Sequence, residues 1–315
     1  MLTDAHEEPI SGALARVLPA IGGDEAIERL ARLSGSDFTT VMLEVARRRA
    51  AAQTPATVLR RYRTDRFVQP ATTPWLRLRR AEDLLGACLP ADFEVLTLAP
   101  LAPLGTHSAL GPVSQDKIVT AMRACEAAAD PTNALALEAA ARRVASRGAA
   151  VRLAAFQRVV RAQHAQRRGY LAHFSLLGLV TAGRDTGGHQ FEREAVAEHV
   201  RAVAAGLRAA GFTAIQLALT PLTSAGNTIA GAVTVLLAGD PVPVEVLVDN
   251  DREAGRGYYR ELCFKINVRA GAEWAEIGDG GFTDWIARLT ASNKERLLIS
   301  GVGIDRVVAL SSEVS

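Results

Sequence analysis

Apolar positions in the first third of the chain recur at helical spacing. Residues 10–33 predict one or two short helices, broken at Pro19 and at Gly22-Gly23. Ser36-Asp37 supplies an N-cap for a helix running through Arg49, with Phe38, Val41, Met42 and Val45 along one side. A further apolar-periodic segment, residues 56–62, leads into residues 65–70, which predict a short strand stopped by Pro70. The Pro- and Leu-rich stretch 93–113 reads as strand and loop. Helical spacing returns over 117–126 and 133–147, with Asp130-Pro131-Thr132-Asn133 between them as a loop and helix cap.

The pattern changes at residue 150. Two β-like runs, 151–162 and 171–182, flank the polar loop His164-Ala165-Gln166-Arg167-Arg168-Gly169-Tyr170 and predict an antiparallel hairpin. Residues 191–210 form a strongly amphipathic helix closed by Gly211, and a strand follows over 213–220. Further strands are predicted at 229–237, 242–248, 259–268 and 273–277. Strands succeed one another instead of alternating with helices. That order predicts an α+β fold, an antiparallel β-sheet flanked by helices, spanning residues 36–315 after an N-terminal helical segment over 1–35.

Composition narrows the class. The 315 residues are 49% hydrophobic, the net charge is +2, and no uninterrupted apolar stretch is long enough to cross a bilayer. The acidic start, Asp4 to Glu8, lacks the basic and apolar regions of a secretory signal, so a soluble, cytoplasmic protein is expected, without membrane partners. Cys88, Cys125 and Cys263 are too few and too scattered for a disulfide framework or a zinc site. Lys117, Lys265 and Lys294 are the only lysines. Arginine therefore carries most of the positive charge, and without clustering it does not mark a nucleic-acid surface.

Candidate chemistry lies near the end of the sequence. Leu297-Leu298-Ile299-Ser300 runs into Gly301-Val302-Gly303-Ile304-Asp305-Arg306, a strand, a glycine turn and a helix start carrying an arginine. Glycines admit close backbone approach, the helix start offers free N–H groups, and arginine adds a permanent forked charge, which together suit an anion. Upstream lie the hairpin with Arg161, then Gly257-Tyr258-Tyr259, then Glu276-Ile277-Gly278-Asp279-Gly280-Gly281-Phe282-Thr283-Asp284. This series resembles the catalytic domain of class II aminoacyl-tRNA synthetases, above all histidyl-tRNA synthetase and the related regulatory subunit of ATP phosphoribosyltransferase. The resemblance covers residues 150–310.

The resemblance places motif 1 near 36–70, motif 2 near 151–182 and motif 3 near 297–310. It implies ATP and Mg2+ as cofactors. Arg161 and Arg306 would be the catalytic arginines, the first on the α-phosphate and substrate carboxylate, the second on adenine and the γ-phosphate. Gln163, Arg167 and Arg168 would serve ATP from the motif 2 strand and loop, and Gly301 and Gly303 from motif 3. Glu276 would ligate magnesium or the substrate amine. Tyr258, Tyr259, Gly280, Gly281 and Phe282 would line the substrate pocket. As neighbours on a strand, the two tyrosines point to opposite faces, so at most one is expected in that pocket.

Departures from the family's pattern redirect the substrate. Gln163 stands where motif 2 has a glutamate, the arginine expected before the paired tyrosines falls near Ala254 with Arg256 out of register, and Phe282-Thr283 replaces an Arg-Tyr pair. Histidine is therefore not the expected substrate. The expectation is ATP-dependent activation of an amino acid or related carboxylic acid as its adenylate. The acceptor would be a carrier protein, a small molecule or tRNA, in a homodimer lacking a C-terminal anticodon-binding domain. The alternative is a non-catalytic regulatory or ligand-sensing paralogue.

Overall fold

The computed structural model describes residues 12–111, 113–146, 148–162, 171–253 and 255–314. The chain divides into two compact units, residues 1–60 with 121–124, and residues 61–120 with 125–315. The first unit contains helices α1 (Gly12–Ile21), α2 (Asp24–Ala31) and α3 (Gly35–Ala51). Helix α3 is capped by Ser34, whose hydroxyl accepts from Asp37 N at 3.1 Å. Helix α4 spans Pro55–Thr64.

The second unit is built on an eight-stranded sheet. Its elements are α5 (Trp75–Gly86), β1 (Glu94–Val95), β2 (Leu101–Pro103), α6 (Thr106–Leu110), β3 (Thr120–Ala121), β4 (Cys125–Ala127), α7 (Pro131–Ala145), β5 (Val151–Val160) and β6 (His173–Arg184). They continue with α8 (Gln190–Ala209), β7 (Ile215–Pro221), α9 (Ser224–Leu237), β8 (Glu245–Val248), β9 (Arg260–Ala270), β10 (Glu273–Thr283), α10 (Trp285–Thr290), β11 (Glu295–Gly303) and α11 (Ile304–Leu310). The strand order is β1-β5-β6-β11-β10-β9-β7-β8. From β5 to β7 every neighbour is antiparallel, and only the edge strands β1 and β8 pair parallel. The α+β class with a helix-flanked sheet is the one expected from the sequence.

Each face of the sheet has its own core. Phe264, Ile277, Phe282, Leu298 and Val302 pack with α5, α8, α9 and α11, whereas Leu153, Val180, Ile299 and Leu297 pack with α7 and α10. Helix α8 buries Val196, Val200, Val203 and Leu207, each worth about 1.5–3 kcal/mol of transfer free energy. Its Gly206 admits Leu85 of α5, whose Cγ would lie 3.0 Å from an added Cβ.

Three predicted segments differ in the structure, each for a physical reason. Residues 65–70 form a turn, not a strand; Phe67 N donates to Asp65 Oδ1 and closes it at 3.0 Å. Residues 117–126 form a 3-10 turn and the short strands β3 and β4, because Arg123 and Ala124 take positive φ angles of 73° and 53°, which no helix interior accommodates. Residues 229–237 belong to α9. Thr223 caps that helix through Gly226 N, and Ile229, Ala230, Val233 and Leu237 fall on one helical face, so periodicity outweighs the β-branched composition. Helix α5, with Ala81 and Leu85 buried, lies outside every predicted element.

Candidate functional site

Asp130 ends the loop before α7 and sets that helix's position. Its Oδ1 accepts from Thr132 N at 2.9 Å and from Thr132 Oγ1 at 2.7 Å, with Pro131 at the first helical position. Pro131 stands over Gly178 of β6, where an added Cβ would lie 2.8 Å from its ring. The helix start therefore sits almost on the backbone of the sheet.

Beside it lies a cavity of about 270 Å³. Its floor is Ile299 and Gly301 of β11 with Asp279 of β10, and its walls come from Asp130, Thr132 and Asn133, from Arg161, from Tyr258 and Tyr259, and from His107, Lys117 and Ile118. Nothing stands within 4 Å of the point where a Cβ of Gly301 would project. The backbone there is open to whatever enters.

Arg161, just past the end of β5, donates from Nε to Ala129 O at 2.8 Å and from Nη2 to Asp130 Oδ2 at 3.2 Å. Its guanidinium lies over Phe174, 5.2 Å from the ring centroid. These tethers hold a cation at the rim of the cavity. Lys117 adds a second one, with no ion pair among the described residues.

Both tyrosines line the cavity, contrary to the strand-alternation expectation. Residues 255–258 form a turn closed by Tyr258 N to Gly255 O at 3.0 Å, so strict alternation does not apply before β9 begins. The rings meet edge to face at 4.9 Å, and Tyr258 meets Trp285 in the same way at 5.4 Å. Burial first, then the carboxylates nearby, raises both phenol pKa values well above the usual range. The phenols stay neutral and can donate.

Asp279 is the residue the sequence reading passed over. Its Oδ2 accepts from Tyr259 Oη at 3.0 Å and from Arg252 Nη2 at 3.3 Å, while Arg252 Nη1 donates to Phe264 O at 3.0 Å. Burial raises the carboxyl pKa and Arg252 opposes that rise. The side chain nevertheless keeps 43% of its surface, because it faces the open cavity. Arg252 likewise carries no motif signal in the sequence, where the expected arginine falls near Ala254, which lies outside the described residues, with Arg256 out of register. Arg256 donates to Arg252 O and Asn250 O and so braces the turn.

Alternation along β10 explains the miss. Asp279 and Gly281 share the α7 face, whereas Gly280 and Phe282 face α8. Reading Gly280, Gly281 and Phe282 as one wall merged two faces of the sheet. Phe282 is buried in the α8 core and borders a separate cavity of about 360 Å³ near Glu192 and Arg296. Gly281 lies under Tyr259, and Gly280 lies against Phe264.

Other expected residues fall outside the cavity lining. Arg306 is exposed and donates from Nη1 to Glu276 O at 2.7 Å, and Glu276 Oε2 pairs with Lys265 Nζ at 3.0 Å. Gly303 ends β11 beside Arg306. Gln163, Arg167 and Arg168 lie outside the described residues. Among the described residues no three His, Cys, Asp or Glu side chains converge as a metal-binding group.

His107 lines the cavity without being available for proton transfer. Its Nδ1 lies 2.5 Å from Glu126 Oε1, and its Nε2 accepts from Ala129 N at 3.0 Å, which fixes a neutral Nδ1–H tautomer. Glu126, fully buried, also accepts from the backbone N–H groups of Gly105 and His107. The pair is a brace for the loop that delivers Asp130.

Neither a family model nor a curated protein matches the sequence. Solved structures do match the fold. A protein described as an ATP phosphoribosyltransferase regulatory subunit/histidyl-tRNA synthetase, from Bacillus halodurans, superposes with a TM-score of 0.61 at 14% identity, over 78% of this chain and 82% of that one. Apo histidyl-tRNA synthetase from S. aureus gives 0.57 at 12%, over 75% of this chain and 65% of that one. A histidine–tRNA ligase subunit from Alicyclobacillus acidocaldarius gives 0.56 at 16%, over 78% and 95% respectively. The chain has the class II aminoacyl-tRNA synthetase-like fold. Among the described residues no helix is long and apolar enough to cross a membrane.

Proposed function

We propose that the cavity beside α7 binds an amino acid or related carboxylic acid and activates it with ATP as the acyl-adenylate. The observation that carries this reading is the pairing of a tethered cation, Arg161, and a second cation, Lys117, with the open glycine floor at Gly301. In the reaction, a carboxylate oxygen attacks the α-phosphorus and pyrophosphate leaves. The carboxylate is already a nucleophile, so no general base is needed, and the locked state of His107 costs nothing. Arg161 holds the carboxylate and α-phosphate against one another and offsets charge gathering on the phosphorus oxygens. Lys117 adds positive potential at the same mouth. Arg306 is assigned the terminal phosphates and adenine.

Glu276 is the carboxylate we assign to Mg2+, which needs few protein ligands when phosphates complete its shell and, when bound, neutralises phosphate charge. The working species is taken to be a cytoplasmic homodimer, and the acyl acceptor a carrier protein, a small molecule or tRNA.

A second reading, a ligand-sensing regulatory paralogue, draws on one observation. Arg306 is spent on the carbonyl of Glu276 and lies outside the cavity lining. Pyrophosphate exchange measured across the amino acids separates the two. Exchange with at least one of them supports activation; amino-acid binding by calorimetry with neither exchange nor ATP binding establishes the sensor.

A further inference from the structure

Two acid and base pairs divide the cavity. Asp130 with Arg161 forms one, and Asp279 with Arg252 forms the other. They lie at different places on the sheet. Pro131 stands over Gly178, Gly178 pairs with Gly301, and Gly301 pairs with Asp279, so Asp279 lies two strand spacings, about 9–10 Å, from the strand beneath the start of α7. An adjacent acid and base suit the zwitterionic head of an amino acid, ammonium toward Asp130 and carboxylate toward Arg161. A side chain directed over Ile299 and past the tyrosine pair would end at Asp279.

What Asp279 can accept follows from its partners. Oδ2 is occupied twice, by Tyr259 and Arg252, whereas no hydrogen bond reaches Oδ1 among the described residues. Among the described residues Arg252, buried behind Asp279, already compensates its charge, so a further cation from the ligand would find no uncompensated carboxylate there. A neutral N–H or O–H is the group that satisfies Oδ1 without adding charge. An apolar side chain would bury that oxygen unpaired.

Resting on the activation or sensing of an amino acid proposed above, we infer that Asp279 determines specificity and that the ligand is an amino acid whose neutral side chain ends in a hydrogen-bond donor. Arg252 and Tyr259 are positioning residues that aim the carboxylate.

The test is a calorimetric and pyrophosphate-exchange screen of the proteinogenic amino acids at pH 8. It is repeated with the preferred ligand against its closest apolar counterpart, threonine with valine or tyrosine with phenylalanine, for example. The preferred ligand should be neutral and donor-bearing, favoured at least about 100-fold over the counterpart, since a site built around a substrate donor rejects the analogue lacking it strongly. Asp279→Asn should lower that ratio at least tenfold. Tyr259→Phe, a gentler change, should lower it in the same direction. A preference for an apolar or charged side chain, or an unchanged ratio in Asp279→Asn, overturns the inference while leaving amino-acid binding intact. Absence of binding and exchange with every amino acid sinks the reading beneath it and this inference together.

Discussion

The ring of Tyr259 lies where a side chain at Gly281 would be: a Cβ added to Gly281 would stand 2.6 Å from Tyr259 Cδ1 and 2.8 Å from Cys263 Cβ. Glycine at this position is a packing requirement of the cavity. Gly281→Ala should destabilise the fold by about 1–3 kcal/mol, the usual cost of overpacking. Urea unfolding would read the loss, and near-ultraviolet circular dichroism would read displacement of the tyrosine pair. An unchanged midpoint would mean that Tyr259 moves aside freely.

Gly301 should behave in the opposite way. Its Cβ direction is empty to 4 Å and its φ is not positive, so Gly301→Ala should change stability by no more than about 0.5 kcal/mol. The methyl group would occupy the cavity floor and should weaken amino-acid or ATP binding at least tenfold. A variant that is both stable and fully competent would show that ligands do not approach this backbone.

Arg161→Lys tests the rim. Lysine keeps the charge but cannot reproduce donation from Nε to Ala129 O together with Nη2 to Asp130. A tenfold or greater fall in kcat/KM for exchange is expected, with little change in the unfolding midpoint. Full activity in this variant would reduce Arg161 to a point charge.

His199 makes stability depend on pH. It is fully buried between Thr181 Oγ1 at 2.9 Å and Ser300 Oγ at 2.8 Å, and burial, aided by Arg152, depresses its pKa to about 3. In the unfolded chain the imidazole takes a proton below about pH 6.5. Between pH 6.5 and 3 the unfolded state binds the extra proton, so stability is full above pH 6.5 and falls as the pH is lowered through that window. The slope from this one group approaches 1.36 kcal/mol per pH unit. His199→Gln should flatten the acid limb of a stability profile measured by urea unfolding. An unchanged limb would assign the acid sensitivity to carboxylates.

The buried pair Arg143 and Glu295 offers a stability test away from the cavity. Nε and Nη2 donate to the two carboxylate oxygens at 2.8 and 2.9 Å, with Nη1 on Ala149 O at 2.7 Å. Glu295→Gln leaves the guanidinium buried without its counter-charge and should cost about 3–5 kcal/mol. Thermal unfolding of the single variants and of a double variant with Arg143→Met would show whether the charge itself, once unpaired, is the cause.

Much of the sheet was legible in the sequence because β5, β6, β7 and β11 carry apolar runs, and α8 because its buried valines repeat at helical spacing. Strand β10, with two glutamates, Asp279 and three glycines, was legible only to residue 277 of a strand that reaches Thr283. Helix α9 was not, since Ile229, Val233, Thr234 and Val235 favour strands and mask the helical spacing of Ile229, Ala230, Val233 and Leu237 behind the Thr223 cap. In the cavity, Arg161, Tyr258, Tyr259 and Gly301 could be read from their order along the chain. Asp279 could not be chosen over Glu276 by order alone, because the register between β9 and β10 shifts between Glu276 and Gly278. His107 and Glu126 carry no local signal, being nineteen residues apart and joined only through the fold.

Gly178 and Gly301 are paired neighbours on adjacent strands, so the sheet beside the start of α7 presents peptide and not side chain. Where backbone forms the floor, its shape is fixed by the pleat of the sheet, and selectivity is left to the side chains that stand around it. Change at the rim can then retarget the site one residue at a time without disturbing the foundation on which folding depends. A common architecture can persist in this way while sequence identity to similar structures falls to 14% and below.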